Sequence, residues 1–252
     1  MRRRHLAAAL AALLACAAAR ADLPELIAAA KPSVVAVGTY SATDSPRFGF
    51  RGTGFVVGDG RTIVTNAHVL PSAVESAAHP TLMIQSLQGT QATVAHEVRV
   101  VATDLNHDLA VLAFDGDPLP ALALGDAPLA PEGTAIAFIG FPIGGVLGFS
   151  PVTHHGIVSS LTKIALPAAN ARELSARSIE RLRQGPFDIY QLDAVAYPGN
   201  SGGPVFDVAS GRVIGVINMV IVRSTLESAL SSPTGMSYAI PVRYLRPLLA
   251  AR

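Results

Sequence analysis

Residues 52–65, GTGFVVGDGRTIVT, carry the clearest signal of the fold class. Two short β-branched and aromatic runs, 52–57 and 62–65, flank a glycine-containing turn at 58–61, which is the pattern of a β-hairpin. Further short apolar runs follow along the chain, and the sequence contains 22 glycines and 18 prolines. Many short strands separated by turn residues predict an all-β protein.

The predicted strands fall into two groups, at about 32–115 and about 132–241. The segment between them, 116–131, is rich in proline and predicts a linker between two lobes. This arrangement predicts two packed β-barrels, followed by a short helix at 242–250. Residues 172–183 are charged and helix-permissive, and they predict an exposed insertion in the second lobe.

Composition excludes several classes of protein. Half of the 252 residues are hydrophobic and 15% are charged, which excludes disorder. The net charge of +1 gives no basic surface for nucleic acid. No Cys/His cluster or H-E-x-x-H motif is present, so we predict neither a metal site nor a cofactor.

The N-terminus has the features of an export signal. Three arginines precede the small apolar run 6–19, and Ala19-Arg20-Ala21 matches an A-x-A cleavage site. We therefore predict a signal peptide at 1–21, a mature chain from 22 to 252, and a periplasmic or secreted location. Cleavage would remove four arginines and no acids, which leaves 15 basic and 18 acidic residues.

Cys16, the single cysteine, allows two interpretations. The sequence Leu13-Leu14-Ala15-Cys16 resembles a lipobox, which would make Cys16 a lipidated, membrane-anchored N-terminus. Cleavage after Ala21 would instead discard the cysteine. In both cases no disulfide is available to stabilise the fold.

The segment 197–204, YPGNSGGP, places Ser201 among glycines. Small neighbours let a substrate backbone approach, and the amides of Gly199 and Ser201 can converge where an oxyanion would form. An ordinary tight turn is the structural alternative. A nucleophilic serine also needs a base and a group that orients the base.

All seven histidines precede Ser201, which excludes the Ser-Asp-His order of α/β-hydrolases and leaves the order His, Asp, Ser. His68 ends a predicted strand, where a rigid element can hold an imidazole at a cleft. His154 and His155 are adjacent, so they point to opposite faces of a strand and lack the spacing of a metal pair.

Two aspartates, Asp104 and Asp108, are candidates for the group that orients the histidine. Asp108 directly precedes the apolar run 109–112, and a carboxylate entering a buried strand is costly unless it is paired. Asp104 lies in a looser turn. We therefore favour Asp108 as the partner of the histidine.

Three motifs resemble the catalytic motifs of HtrA/Deg-type, trypsin-fold serine proteases: TNAHV at 65–69, HDLAV at 107–111 and GNSGGP at 199–204. The resemblance extends over about residues 32 to 245, because further matches occur in the same order at 124–126, 139–142, 156–159 and 238–241.

The resemblance implies two six-stranded antiparallel β-barrels with a short C-terminal helix. It implies a serine endopeptidase that cuts unfolded or misfolded polypeptides through an acyl-enzyme. His68 would be the general base, Asp108 would orient it, and Ser201 would be the nucleophile, with the amides of Gly199 and Ser201 as the oxyanion hole.

The chain departs from the family at three points. No PDZ domain follows the protease region, so we expect no activation by such a domain. Asn200 replaces the aspartate that pairs with a new N-terminus in chymotrypsin-type enzymes, so we expect no zymogen activation of that kind. Tyr197 stands where asparagine is common and is expected to reshape the loop before the oxyanion hole.

The resemblance also indicates substrate contacts. Val195 and Ala196 would lie at the floor of the S1 pocket, which predicts a small or medium aliphatic P1 side chain. Ile217, Asn218 and Met219 would pair with the substrate backbone, or else form an ordinary core strand.

Two alternative functions and the oligomeric state stay open at this point. The chain could bind polypeptides with little or activator-dependent turnover, or act as an esterase. HtrA trimers use N-terminal aromatic contacts, and residues 22–30 contain no aromatic residue, which makes a monomer plausible and leaves the oligomeric state open.

Overall fold

The structure, a computed structural model, describes residues 22–72, 81–88, 92–126, 128–142, 144, 150–164, 185–218 and 236–251. The predicted signal peptide with Cys16, the 172–183 insertion and Met219 lie outside the described residues, so what we expect of them stays a prediction.

A short helix, α1 (Leu23–Ala30), and a 3-10 turn (Lys31–Ser33) lead into the N-terminal lobe. The strands of this lobe are β1 Val34–Tyr40, β2 Phe48–Val57, β3 Thr62–Thr65, β4 Thr81–Gln88, β5 Ala92–Glu97, β6 Arg99–Asp104 and β7 Leu109–Ala113. The hairpin predicted at 52–65 is present, with Phe55 opposite Val64 and Val57 opposite Thr62.

The N-terminal strands form one curled antiparallel sheet in the order β5-β4-β1-β2-β3-β7-β6. Its two edge strands, β5 and β6, are consecutive in sequence, and only Val98 separates them. Val98 is buried and its N–H donates to the carbonyl oxygen of Leu82. The six-stranded barrel expected for this lobe is a curled half-barrel sheet of seven strands, because the chain is divided at Val98 into β5, which pairs with β4, and β6, which pairs with β7.

The C-terminal lobe is a closed antiparallel barrel in the order β10-β13-β12-β11-β8-β9. Its strands are β8 Ala135–Gly140, β9 Val152–Ile164, β10 Phe187–Asp193, β11 Pro204–Asp207, β12 Arg212–Asn218 and β13 Met236–Pro241. A 3-10 turn (Val242–Tyr244) and a short helix, α2 (Leu245–Ala250), follow. The all-β fold with a short C-terminal helix is confirmed.

The two lobes share an apolar core. One cluster of buried side chains joins residues of the N-terminal sheet, such as Phe55 and Leu109, to residues of the C-terminal barrel, such as Phe141, Phe206 and Val216. Burial of apolar surface at this seam holds the two lobes together. The functional side chains described below lie along the same seam.

The connection between the lobes is bonded to both of them. Leu122 N–H donates to Val56 O in the N-terminal sheet, and Val213 N–H in the C-terminal barrel donates to Ala123 O, each at 2.9 Å. The boundaries predicted for the lobes and the linker stay predictions. Over the described part of the chain, no helix is both long enough and apolar enough to cross a membrane.

Candidate active site

His68 lies in a 3-10 turn, Ala67–Val69, directly after the buried strand β3. Its backbone N–H donates to Asp108 Oδ1 at 2.8 Å, and its ring Nδ1 donates to Asp108 Oδ2 at 2.5 Å. An ionised carboxylate can only accept, so the ring hydrogen is on Nδ1 and Nε2 keeps its lone pair. The imidazole side chain is 27% exposed.

Asp108 is the most constrained residue of the site. Its φ of +52° lies in the left-handed region, which aspartate tolerates better than most residues. Its carbonyl oxygen accepts from Asn66 Nδ2 at 2.9 Å and from Ala67 N–H at 3.1 Å. These bonds fix the main chain so that the buried carboxylate faces His68 at two points.

Asn218, predicted as a substrate contact, has a different place in the structure. It ends strand β12 of the other lobe, is fully buried, and donates from Nδ2 to Asp108 Oδ2 at 2.7 Å. The side chain therefore supports the carboxylate. A signal was present in the sequence, since an asparagine that ends the apolar run of β12 needs a buried partner.

The rival aspartate pairs with another histidine. Asp104 accepts from His107 Nδ1 at 2.6 Å and from the backbone N–H of His107 at 3.1 Å. The structure therefore brings His68 to Asp108, and Asp104 forms a separate pair at the end of β6.

Ser201 follows a tight turn at residues 197–200. Asn200 N–H donates to Tyr197 O at 3.0 Å, Pro198 is the second residue, and Gly199 has a φ of +101°. A proline at the second position and a positive φ at the third define a type II turn. The peptide between the second and third residues points in opposite directions in type I and type II turns, so the turn type decides where Gly199 N–H is directed.

The chain after Ser201 needs a second glycine. Gly202 has a φ of +88°, and a Cβ at this position would overlap the carbonyl oxygen of Thr53. Gly202 N–H donates to Ile217 O, and Ile217 N–H donates to Gly203 O, each at 2.9 Å. These bonds attach the serine loop to the start of β11 and to the buried strand β12.

Thr53, on β2 of the N-terminal lobe, holds the same loop from the other side, although no sequence motif pointed to it. Its N–H donates to Ser201 O at 2.8 Å, and its hydroxyl donates to Gly199 O at 2.6 Å. The hydroxyl also accepts from Phe141 N–H at 3.1 Å. Glycines flank Thr53 in the sequence, which was the available but weak sign of a close backbone approach.

The residues predicted to contact the substrate differ in burial and in hydrogen bonding. Val195 and Ala196 are half-buried, and Ala196 N–H donates to Ser237 Oγ at 2.9 Å. Ile217 is fully buried and both of its backbone groups are bonded to the serine loop. It is therefore a core residue, and it cannot offer its peptide groups to a substrate; Met219 lies outside the described residues.

The described residues contain no group of three or more His, Cys, Asp or Glu side chains that could hold a metal ion. The seam holds an imidazole oriented by a carboxylate, and Thr53 attaches the glycine-rich loop that carries Ser201 to the same N-terminal sheet.

A family model described as "Trypsin-like peptidase domain" matches residues 52–216. Two curated relatives, each named "Probable periplasmic serine endoprotease DegP-like", match over 191 residues, or 76% of this chain and 32% of the relative. The protein from Halomonas elongata is 32% identical and that from Pseudomonas fluorescens 30% identical. The chain spans about a third of the length of these relatives.

Solved structures show the same fold. The active form of the Rv3671c protease from M. tuberculosis has a TM-score of 0.64 and 23% identity, with 89% of this chain and 82% of that chain covered. Deg5 has a TM-score of 0.62 and 25% identity, with 89% and 90% covered. These neighbours confirm the trypsin-like fold that the sequence motifs predicted.

Proposed function

Because the chain belongs to the trypsin-like peptidase family, we propose that it is a serine endopeptidase in which Ser201, His68 and Asp108 form the catalytic triad. The observation that carries this proposal is the two-point contact of Asp108 with His68, which leaves Nε2 of His68 with a lone pair. A base held in this tautomer can take the proton of a serine hydroxyl.

The proposed reaction proceeds through an acyl-enzyme. Ser201 Oγ attacks the carbonyl carbon of the scissile bond while His68 Nε2 accepts the hydroxyl proton. The imidazolium then gives this proton to the leaving amine, and the peptide C–N bond breaks. Water then attacks the carbonyl carbon of the ester while His68 again acts as base. The carboxylic acid product is released and the Ser201 hydroxyl is regenerated.

The amides of Gly199 and Ser201 form the proposed oxyanion hole. The type II turn at 197–200 supports this proposal, because it gives Gly199 the positive φ that directs its N–H away from the turn's own hydrogen bond. Thr53 holds the carbonyl oxygen of Gly199, in the peptide that follows the proposed donor, and thereby restrains the end of the turn before a substrate arrives.

The proposed substrates are unfolded polypeptides with a small or medium aliphatic P1 side chain. Val195 and Ala196 bring no carboxylate to the predicted S1 floor, so a lysine or arginine side chain would find no partner there. Backbone pairing would involve Asn218 and Met219, since the peptide groups of Ile217 are already used. The relatives' names and the predicted signal peptide both support a periplasmic location.

The test uses the chain from Asp22 onward beside a Ser201→Ala control. Both proteins are treated with a fluorophosphonate probe and then with unfolded casein. Labelling and cleavage that are absent from the control would establish the peptidase. A folded protein that neither labels nor cleaves would contradict the proposal and favour a polypeptide-binding role; labelling with cleavage of esters alone would indicate an esterase.

A further inference from the structure

His154 contacts the turn that precedes Ser201, and the proposed function gives it no role. It lies on β9, directly opposite Phe138 of β8 in the strand register. The two rings are stacked, with centroids 4.7 Å apart and planes 18° from parallel. Burial lowers the pKa of His154, which favours the neutral imidazole with one nitrogen free to accept.

The imidazole contacts both ends of the type II turn. The ring of Tyr197, the first residue of the turn, has its centroid 5.9 Å from that of His154. Nε2 of His154 lies 3.4 Å from Nδ2 of Asn200, the last residue of the turn. His154 thus contacts Tyr197 and Asn200, the two residues that flank the Pro198–Gly199 peptide.

The burial of the Asn200 side chain gives the hydrogen bond to His154 its structural importance. Its side chain is fully buried, and Asn200 Oδ1 has no hydrogen-bond partner among the described residues. The amide lies against Gly140, where a Cβ would come within 2.7 Å of this oxygen. A buried amide is costly unless it is hydrogen-bonded, and with Oδ1 unpaired the hydrogen bond from Nδ2 to the imidazole of His154 is the side-chain contact that offsets part of this cost.

We propose that His154 is a positioning residue that holds the turn 197–200 in the orientation in which Gly199 N–H serves the oxyanion hole. This inference rests on the proposed peptidase function and adds to it a support that lies outside the triad. Neutral His154 accepts a hydrogen bond from the Asn200 amide through Nε2, and its ring limits the movement of Tyr197. Loss of either contact frees an end of the turn and lets the Pro198–Gly199 peptide rotate.

The test compares two replacements of His154. His154→Phe keeps a ring that can stack on Phe138 but removes the acceptor. His154→Gln removes the ring but places an amide oxygen close to the former position of Nε2. His155→Phe is the matched control, because His155 is the exposed neighbour on the opposite face of β9.

Measured on a peptide amide substrate, His154→Phe is expected to lower kcat about tenfold or more with KM nearly unchanged, since the loss of one oxyanion donor costs about 10²–10³ in kcat. His154→Gln is expected to recover part of the loss, and His155→Phe to leave kcat within about twofold of wild type. An unchanged kcat in His154→Phe would overturn the proposal. A change confined to KM or to thermal stability would overturn it as well.

A second measurement makes the outcome independent of activity. The backbone amide signal of Gly199 in ¹⁵N NMR spectra is expected to shift in His154→Phe and to stay in place in His155→Phe. If wild-type protein shows no turnover, the proposed function fails while this signal still tests the role of His154. Equal Gly199 shifts in both variants, or none in either, would refute the positioning role.

Discussion

The molecule contains two histidine–aspartate pairs that are almost identical in local geometry. In each, the ring Nδ1 donates to one carboxylate oxygen, at 2.5 Å for His68–Asp108 and 2.6 Å for His107–Asp104. In each, the backbone N–H of the histidine donates to the other oxygen, at 2.8 Å and 3.1 Å. The two aspartates are four residues apart, so the same chemistry is repeated at both ends of one short turn.

The surroundings of the two pairs differ. Asn218 reaches Asp108 from the opposite lobe, and the imidazole of His68 remains partly exposed. The ring of His107 is stacked on Tyr244, with centroids 4.2 Å apart, and meets the edge of Phe187 at 4.6 Å. The side chain of His107 is nevertheless 21% exposed, against 27% for that of His68, so exposure alone does not distinguish the two pairs. The comparison teaches that the two pairs differ in the origin of their further contacts. Asp108 accepts a hydrogen bond from Asn218 of the other lobe, whereas the further donor to Asp104 is the neighbouring backbone N–H of Asn106.

The largest expected effect comes from breaking the first pair. Asp108→Asn should lower kcat about 10⁴-fold, because an amide can donate to Nδ1 and thereby favours the tautomer whose Nε2 carries hydrogen and cannot act as base. The kcat of purified protein on a peptide amide substrate checks this. Near-normal turnover would show that His68 is not the base.

Asp104→Asn is the matched control for this experiment. It makes the same chemical change in the same kind of pair, four residues away. We expect kcat to stay within about threefold of wild type, because Asp104 contacts His107 rather than His68. An equal loss in both variants would mean that the two pairs act as one unit.

The second prediction removes the donor that distinguishes the two pairs. Asn218→Ala should lower kcat about 10–100-fold, since a hydrogen bond to a charged group contributes about 1.5–3 kcal/mol. KM should change little, because Asn218 supports the carboxylate and its side chain is fully buried. A rise in KM with unchanged kcat would instead support the substrate contact predicted from the sequence.

The third prediction concerns the loop that the first pair serves. Thr53→Val should lower kcat about tenfold and stability by about 1–3 kcal/mol, because it leaves the carbonyl of Gly199 and the N–H of Phe141 without their partner. Thr53→Ser keeps the hydroxyl and is the matched control. Urea unfolding and kcat are measured for both; equal behaviour of the two variants would show that the hydroxyl is unimportant.

The sequence was sufficient to predict the features that short motifs and their residue types indicate directly. The hairpin at 52–65, the all-β fold and the two-lobe strand grouping follow from local apolar runs and turn residues. The contact between His68 and Asp108 follows from a strand end and from a carboxylate that enters a buried strand. The hairpin depends on neighbours within a few residues, which a sequence displays directly. The His68–Asp108 contact spans 40 residues and was predicted from the cost of burying an unpaired carboxylate.

The sequence was insufficient wherever a residue acts on the other lobe. Asn218 and Thr53 meet their partners only after two distant strands have packed, 110 residues from Asp108 in one case and 146 from Gly199 in the other. These contacts form only when the two lobes are packed together along the seam. The division at Val98 has a similar cause, because β5 and β6 pair with β4 and β7, which lie far apart in sequence.

The smallest effect is expected from titrating the second pair. Burial alone would raise the pKa of Asp104, but the hydrogen bonds from His107 and Asn106 outweigh it and leave the pKa below its usual value. A carboxyl whose pKa is lower in the folded state stabilises the fold above its unfolded pKa of about 3.9. This contribution is lost as the pH falls through the folded value.

Urea unfolding between pH 7 and pH 2.5 should therefore show a steeper loss of stability on the acid side for wild type than for Asp104→Asn. The difference between the two proteins should be constant at neutral pH and should shrink only below about pH 4. Because the kcat of the variant is expected to stay near wild type, this separates a pair that stabilises the fold from a pair that performs chemistry. Parallel stability curves would show that Asp104 and His107 contribute nothing through their charges, and the resemblance between the two pairs would then be one of geometry alone.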